Sequence, residues 1–503
     1  MLGVPGTMSL DEVIQLYQET HALGLIVFSR NFKSAALFKS WLSSLESALD
    51  RKLLVAVDHE GGRVIHLSEE VTFFADNLTL GWTGSEDYAF RQGVLEAGQL
   101  RGLGIDLNLA PTLDVLTAHY SPNIGIRSYG KDPGLVARLG AARIKGMQVS
   151  GLSACAKHFP GQGQSSLDAH LDLPVLMTSP DEYDSIHSVP FKSAIQAGVA
   201  AVMTSHPVYP ALGGLQSDPA TFSNAIVTGL LREKLGFRGV ILSDDLEMGA
   251  LKNYGTVGEA ALRAVLAGHD MVLICSDPLA AREAAGQLRE AYQGHLLSDQ
   301  FIEESQERLR VLQDQRQQRF EAPASGYVKE GALLAERIAC EGLSKSRSAQ
   351  EIQMELSPDQ TLNSVVIYPK LSVLSEKIAF EAEMQNDGAF IESVLKKAGI
   401  SAQAVLLSLD PGEIELKTVL KTVEDSPEVL FFCFDPHLYE GCRRMLRELE
   451  EKAANLKVIF LRDPFGADLL ERPTPSMNAF GFRAVQIRAA VRILADCRLK
   501  NNV

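Results

Sequence analysis

Short apolar runs alternate with longer amphipathic stretches along the first half of the chain. The runs cover residues 2–4, 24–28, 53–57, 106–110, 154–157, 200–204, 239–242 and 271–275, and most are rich in Val, Ile and Leu. Runs of this length, with little polar alternation, predict strands buried on both faces. Between them, apolar positions recur at helical spacing in 10–21, 34–49, 89–103, 136–148, 186–197, 224–235 and 258–267. This strand–helix alternation predicts an α/β fold, an N-terminal (β/α)8 TIM-type barrel, with a helical stretch over 279–318 closing it.

The rhythm then changes. Residues 321–327 combine Ala, Pro, Ser and Gly and read as a linker. The barrel is therefore assigned to 1–320, a linker and helical connection to 321–358, and a smaller C-terminal α/β sandwich to 359–503. Its predicted strands are 364–368, 404–407, 429–434 and 457–461. Its predicted helices are 372–384, 389–398, 437–455 and 482–494, with one over 329–342 in the connection. A length of 503 residues suits two units when one is a large barrel, since a domain averages about 150 residues.

Composition narrows the function classes. With 46% hydrophobic and 22% charged residues, disordered, collagen-like and coiled-coil readings are out. A net charge of −15 without a basic block argues against nucleic acid or an anionic membrane as partner. No apolar stretch approaches the roughly 20 residues that span a bilayer. The first Lys or Arg is Arg30, so a secretory signal is not expected. Six scattered cysteines without a Cys-x-x-Cys pair fit reduced thiols, and a cytoplasmic location is expected. No His-Glu-x-x-His or Cys/His cluster exists, so neither a metal nor another cofactor is expected.

The chemical side chains fall at strand ends. Asp58 and Glu60 follow the third predicted strand, and Asp114 lies beyond the fourth. Lys157 and His158 end the fifth, Ser205 and His206 the sixth, Asp244 and Asp245 the seventh. Barrel enzymes build their sites on this rim. The densest segment runs from Lys157 to His170, with Asp168 and His170 two positions apart. A carboxylate beside an imidazole fixes its tautomer and makes it a proton shuttle. Asp244 and Asp245 are neighbours, so one can face the barrel mouth while the other supports it; an N-capping role is the plainer reading of Asp245. Arg127 and Lys157 could orient such a carboxylate or hold a hydroxylated substrate.

These motifs together resemble the β-N-acetylglucosaminidase (NagZ-type) branch of glycoside hydrolase family 3. Lys157-His-Phe-Pro-Gly-x-Gly followed by Asp168-x-His170 carries the resemblance, with Asp58-His-Glu-Gly-Gly-Arg63, Arg127-Ser-Tyr-Gly130 and Ser243-Asp-Asp-Leu246 in the same order. It covers about residues 1–320. The resemblance implies a small carbohydrate substrate, with terminal β-linked N-acetylglucosamine removed, as from peptidoglycan-turnover fragments. It implies Asp244 as nucleophile, His170 as general acid/base and Asp168 as its partner, with Asp58, Arg127, Lys157, His158, His66 and His206 in substrate binding. Three positions depart from the family pattern: Gln162 and Ala169 in the loop, and His66 where an arginine is usual. A phosphorylase using inorganic phosphate as acceptor, a glycosidase of other specificity and a silent sugar-binding protein are the alternatives. The presence of Asp244, Asp168 and His170 argues against the last.

Overall fold

A computed structural model describes residues 1–165, 173–213, 218–314, 324–346, 364–424 and 426–500. Among these, a parallel sheet is ordered β1 (Gly24–Val27), β2 (Leu54–Val57), β5 (Leu107–Asn108), β6 (Ser153–Phe159), β7 (Ala201–Thr204), β8 (Val240–Asp245) and β9 (Met271–Leu273). The predicted first strand shrinks to a bridge. Leu2 pairs in parallel with both Leu25 and Ile274 and so joins the two edges of the curled sheet. Gly3 makes room for this, because a Cβ there would lie 2.2 Å from the Cys275 carbonyl oxygen.

The strands are buried on both faces, for different reasons. Ile26, Ala56, Leu107, Cys155, Met203, Leu242 and Leu273 fill the barrel interior. Leu25, Val27, Val55, Val57, Ala154, Ala156, Val202 and Ile241 face the surrounding helices. Those helices follow the amphipathic stretches, for example Leu10–Thr20, Ala35–Ala48, Glu86–Gly102, Pro133–Val149 and Val257–Ala267. Ser9 and Thr256 begin two of them with full capping boxes. The closing stretch is two helices, Pro278–Gln293 and Asp299–Asp314.

A short hairpin rises between β2 and β5. It is formed by β3 (His59–Gly61) and β4 (Val64–Ile65), and the helix Asn77–Thr83 follows it. Neither was predicted, because three-residue and two-residue strands carry no usable periodicity.

The second unit has a five-stranded parallel sheet ordered β11 (Ala402–Leu407), β10 (Ser364–Pro369), β12 (Val429–Phe434), β13 (Leu456–Leu461) and β14 (Ser476–Asn478). Val365, Ile367, Phe431 and Cys433 pack under helices Glu413–Val423 and Glu440–Lys452. Val366, Tyr368, Leu430 and Phe432 face the other way and join the apolar cluster that continues into the barrel's helical layer. The helix Glu413–Val423 and strand β14 were not anticipated.

Two sequence expectations need correction. The linker reading fails at 324–327, since these residues already belong to the helix Ala324–Lys345. The helix expected over 372–384 is instead two 3-10 turns, Leu371–Glu376 and Ala382–Met384. Between them the Ala379 N–H donates to the Ile65 carbonyl of the barrel hairpin at 2.8 Å, which a continuous helix would forbid. The expected boundaries at 320 and 358 lie outside the described residues.

Candidate active site

Alternation along each strand decides which polar residue enters the barrel mouth. Ala56, Cys155 and Leu242 belong to the interior cluster, so the residues two further on, Asp58, Lys157 and Asp244, continue on the inner face. Asp245, the next residue, lies opposite Leu273 after a register shift in the β8–β9 pairing, with its carboxyl buried against Cys275.

Lys157 Nζ bridges Asp58 and Glu60, at 2.6 Å from Glu60 Oε1. Glu60 in turn takes a bidentate pair from Arg127, with Nε to Oε2 at 2.9 Å and Nη2 to Oε1 at 2.7 Å. Arg127 Nη1 also donates to the Asn123 carbonyl oxygen at 3.1 Å, which holds the loop after β5 to the guanidinium. Nη2 lies 3.3 Å from His158 Nε2, and His158 Nδ1 lies 2.7 Å from Asp114 Oδ2. The other Asp114 oxygen accepts the Gln162 N–H at 2.7 Å. Asp58, Glu60, Arg127, Lys157, His158 and Asp114 thus form one continuous polar network.

Burial alone would raise the Glu60 carboxyl, but Arg127 and Lys157 hold it well below the usual range. Burial likewise works against the Lys157 ammonium, and Asp58 and Glu60 overcome it and raise its pKa. Glu60 and Lys157 are therefore held as a charged pair beside the Arg127 guanidinium. A paired, hydrogen-bonded network of this kind is rigid and presents fixed donors.

The two adjacent carboxylates are pushed apart. Burial acts to raise Asp244, but the His158 and His206 imidazoles, the Asp245 N–H at 2.9 Å and Lys157 bring it below the ordinary value. Burial pushes Asp245 up to about 7, with Glu247 and Asp244 adding to it. Asp245 does not cap a helix; its Oδ1 accepts the Glu247 N–H at 3.1 Å in a turn. A carboxylate held below its ordinary pKa beside one pushed up to about 7 is how environment separates two chemical roles.

His206 is fixed from both sides, by Thr221 Oγ1 at 2.7 Å and the Asp245 carbonyl at 2.9 Å. His66 lies 3.1 Å from Ser29 Oγ and edge-on to Phe28. Burial, with Lys157 and Arg30 adding to it against a nearby Asp58, lowers His66 to about 4, so it is a neutral ring where the family pattern has a cation. Asp168 and His170 lie outside the described residues.

Glu60 and Asp114 are the organising residues that motif reading left without a role. Their strand-end positions were visible, but only the folded hairpin and loop show that each anchors a cationic or imidazole side chain.

Residues 2–312 match the glycosyl hydrolase family 3 N terminal domain. The chain belongs to glycosyl hydrolase family 3. Among curated relatives, a beta-hexosaminidase of Nitrosomonas eutropha is 36% identical over 297 residues, 58% of this chain and 84% of that protein. A beta-hexosaminidase of Thioalkalivibrio sulfidiphilus is 38% identical over 286 residues, 55% of this chain and 80% of that protein. A solved family 3 beta-N-acetylglucosaminidase from Paenibacillus sp. str. FPU-7 superposes with a TM-score of 0.89 at 30% identity, over 99% of this chain and 95% of that one. Family 3 membership makes this chain a glycoside hydrolase, and the likeness to that structure extends over both units.

Proposed function

We propose that the chain is a retaining, exo-acting β-N-acetylglucosaminidase that works through a covalent glycosyl-Asp244 intermediate. The observation that carries this reading is the Asp244 carboxylate, kept ionised on the inner face of β8 beside the Asp58–Lys157–Glu60–Arg127 network. The beta-hexosaminidase relatives and the Paenibacillus beta-N-acetylglucosaminidase support the choice of sugar.

In the first step an Asp244 oxygen attacks the anomeric carbon, the glycosidic C–O bond breaks, and His170 gives its proton to the departing oxygen. In the second step His170 takes a proton from water, whose oxygen attacks the same carbon and releases Asp244. Two inversions leave the configuration retained. Asp168 orients and stabilises the His170 imidazolium. Asp58, Arg127, Lys157 and His158 bind the hydroxyl groups of the sugar, with His206 and His66 along its border. Short peptidoglycan-turnover fragments are the proposed natural substrates. No helix among the described residues is long and apolar enough to cross a membrane, and the buried free thiols of Cys155, Cys275, Cys433 and Cys442 suit the reducing cytoplasm.

The test is the product formed from an aryl β-N-acetylglucosaminide, with and without inorganic phosphate. The expected products are the phenol and free β-configured N-acetylglucosamine, at a rate that phosphate does not change. Sugar 1-phosphate as the main product would make the enzyme a phosphorylase, and cleavage of the β-glucoside alone would overturn the sugar assignment.

Glu60→Gln probes the network separately. Leaving Arg127 and Lys157 without their shared carboxylate costs about 3 kcal/mol of binding alignment, or roughly 10²-fold in kcat/KM. Kinetics on the same aryl glycoside check this, and an unchanged kcat/KM would reduce Glu60 to a packing role.

A further inference from the structure

The hairpin that carries Glu60 is held from two sides. On the barrel side, Asn108 bonds both backbone groups of His59, accepting its N–H and donating to its carbonyl oxygen, each at 3.0 Å. On the other side the partners come from the C-terminal unit. Arg483, fully buried, donates through Nε to the Gly62 carbonyl oxygen at 2.5 Å. Its Nη1 donates to the Ala379 carbonyl oxygen at 2.8 Å and to Glu381 Oε2 at 3.0 Å. The Ala379 N–H donates to the Ile65 carbonyl oxygen at 2.8 Å, so the guanidinium holds the hairpin turn directly and its second strand through the Ala379 backbone. Phe73 from the barrel and Phe380 and Phe482 from the second unit surround the cation.

The hairpin tip is also sterically confined. Asp76 Oδ1 accepts the Arg63 N–H at 2.9 Å. A Cβ at Gly481 would lie 2.2 Å from Asp76 Oδ2, and one at Gly62 would lie 2.0 Å from the same carboxylate, so backbone from both units closes on it. Gly62, with φ +52, passes between Asp76 and Arg483.

We infer that Arg483 is a positioning residue for sugar binding: by fixing Gly62 directly, and Ile65 through Ala379, it sets the placement of Glu60, and through Glu60 that of Arg127 and Lys157. This rests on the functional reading given above. A guanidinium suits the task because its planar fork reaches two carbonyls and a carboxylate at once, which a single ammonium cannot do. The second unit thereby acts on a proposed sugar-binding cluster whose described members all belong to the barrel.

The test uses the full chain and compares the wild type, Arg483→Ala and Ile459→Ala. Ile459 is fully buried in the second sheet, in register with Phe432 and Met477 on the neighbouring strands. Melting temperature, kcat, KM and inhibition by N-acetylglucosamine are measured below the melting point of every variant. Losing charge-assisted bonds to the hairpin should raise KM and the inhibition constant by about tenfold, with a smaller fall in kcat. Added guanidinium ion should recover part of the affinity. Ile459→Ala should melt earlier and keep the wild-type KM. An unmoved KM in Arg483→Ala, or an equal rise in Ile459→Ala, overturns the inference and leaves Arg483 purely structural. If Arg483→Ala does not fold, Arg483→Lys carries the same comparison, since it keeps charge and loses the fork. Wild-type cleavage is measured first: a wild type that neither binds nor cleaves the sugar overturns the functional reading and the inference together, whereas an active wild type with indifferent Arg483 variants overturns the inference alone.

Discussion

Asp244→Asn should keep its fold and its affinity for N-acetylglucosamine and lose turnover by roughly 10³-fold or more, as expected when a covalent nucleophile is removed. The amide is isosteric and can still accept the Asp245 N–H that now meets the Asp244 carboxylate at 2.9 Å. What it cannot do is attack an anomeric carbon. The Asp58, Lys157 and Glu60 contacts do not pass through Asp244, so ground-state binding survives. Asp245→Asn is the informative control. Burial already pushes that carboxyl up to about 7, so much of it is uncharged at neutral pH and its amide should cost far less. Steady-state kinetics with an aryl β-N-acetylglucosaminide and calorimetric titration with the free sugar check both variants. Near-normal turnover in Asp244→Asn, with collapse in Asp245→Asn, would exchange the two roles.

His170→Ala should divide the two chemical steps. A dinitrophenolate leaves without help from an acid, so Asp244 should still be glycosylated by the dinitrophenyl glycoside. Nothing then activates water, and the second step should slow by about 10²–10⁴-fold, the usual worth of a general base. The expected record is a burst of dinitrophenolate equal to the enzyme concentration, followed by slow release that azide accelerates. For a poor leaving group the first step should fail instead, with no burst. Asp168→Ala should give a milder form of both effects, because the imidazole remains but loses its orienting partner. Stopped-flow absorbance distinguishes these patterns. An equal loss for every leaving group, without a burst, would remove His170 from proton transfer.

The barrel was legible because its strands are buried on both faces. Runs such as 53–57 and 200–203 leave no polar residue to confuse the pattern, and the helices between them show an apolar stripe. The proposed site residues were legible for a related reason: a charged residue at or just beyond the end of such a run, as at Asp58, Lys157 and Asp244, has a position on the rim. Their grouping was not. Glu60 and Arg127 are 67 residues apart and meet only because a hairpin too short for any periodicity turns back over the mouth. The failed helix over 372–384 has a similar cause. Its local sequence permits a helix, but the bond from Ala379 to Ile65 takes the middle of the segment away, and such tertiary contacts leave no trace in a window of neighbours. Arg483 was equally hidden, as one arginine at the start of an ordinary amphipathic stretch.

The central claim is that a sugar is carried covalently on Asp244, and peptide mapping tests it most directly. His170→Ala would be mixed with dinitrophenyl β-N-acetylglucosaminide, quenched in acid during the slow phase, digested with pepsin and sequenced by tandem mass spectrometry. The account predicts one added N-acetylhexosamine residue per chain, on the peptide containing Ser243-Asp-Asp-Leu246 and localised to Asp244. A sugar on Asp245 or on any other carboxylate, or an unmodified enzyme that is still turning over substrate, would contradict it.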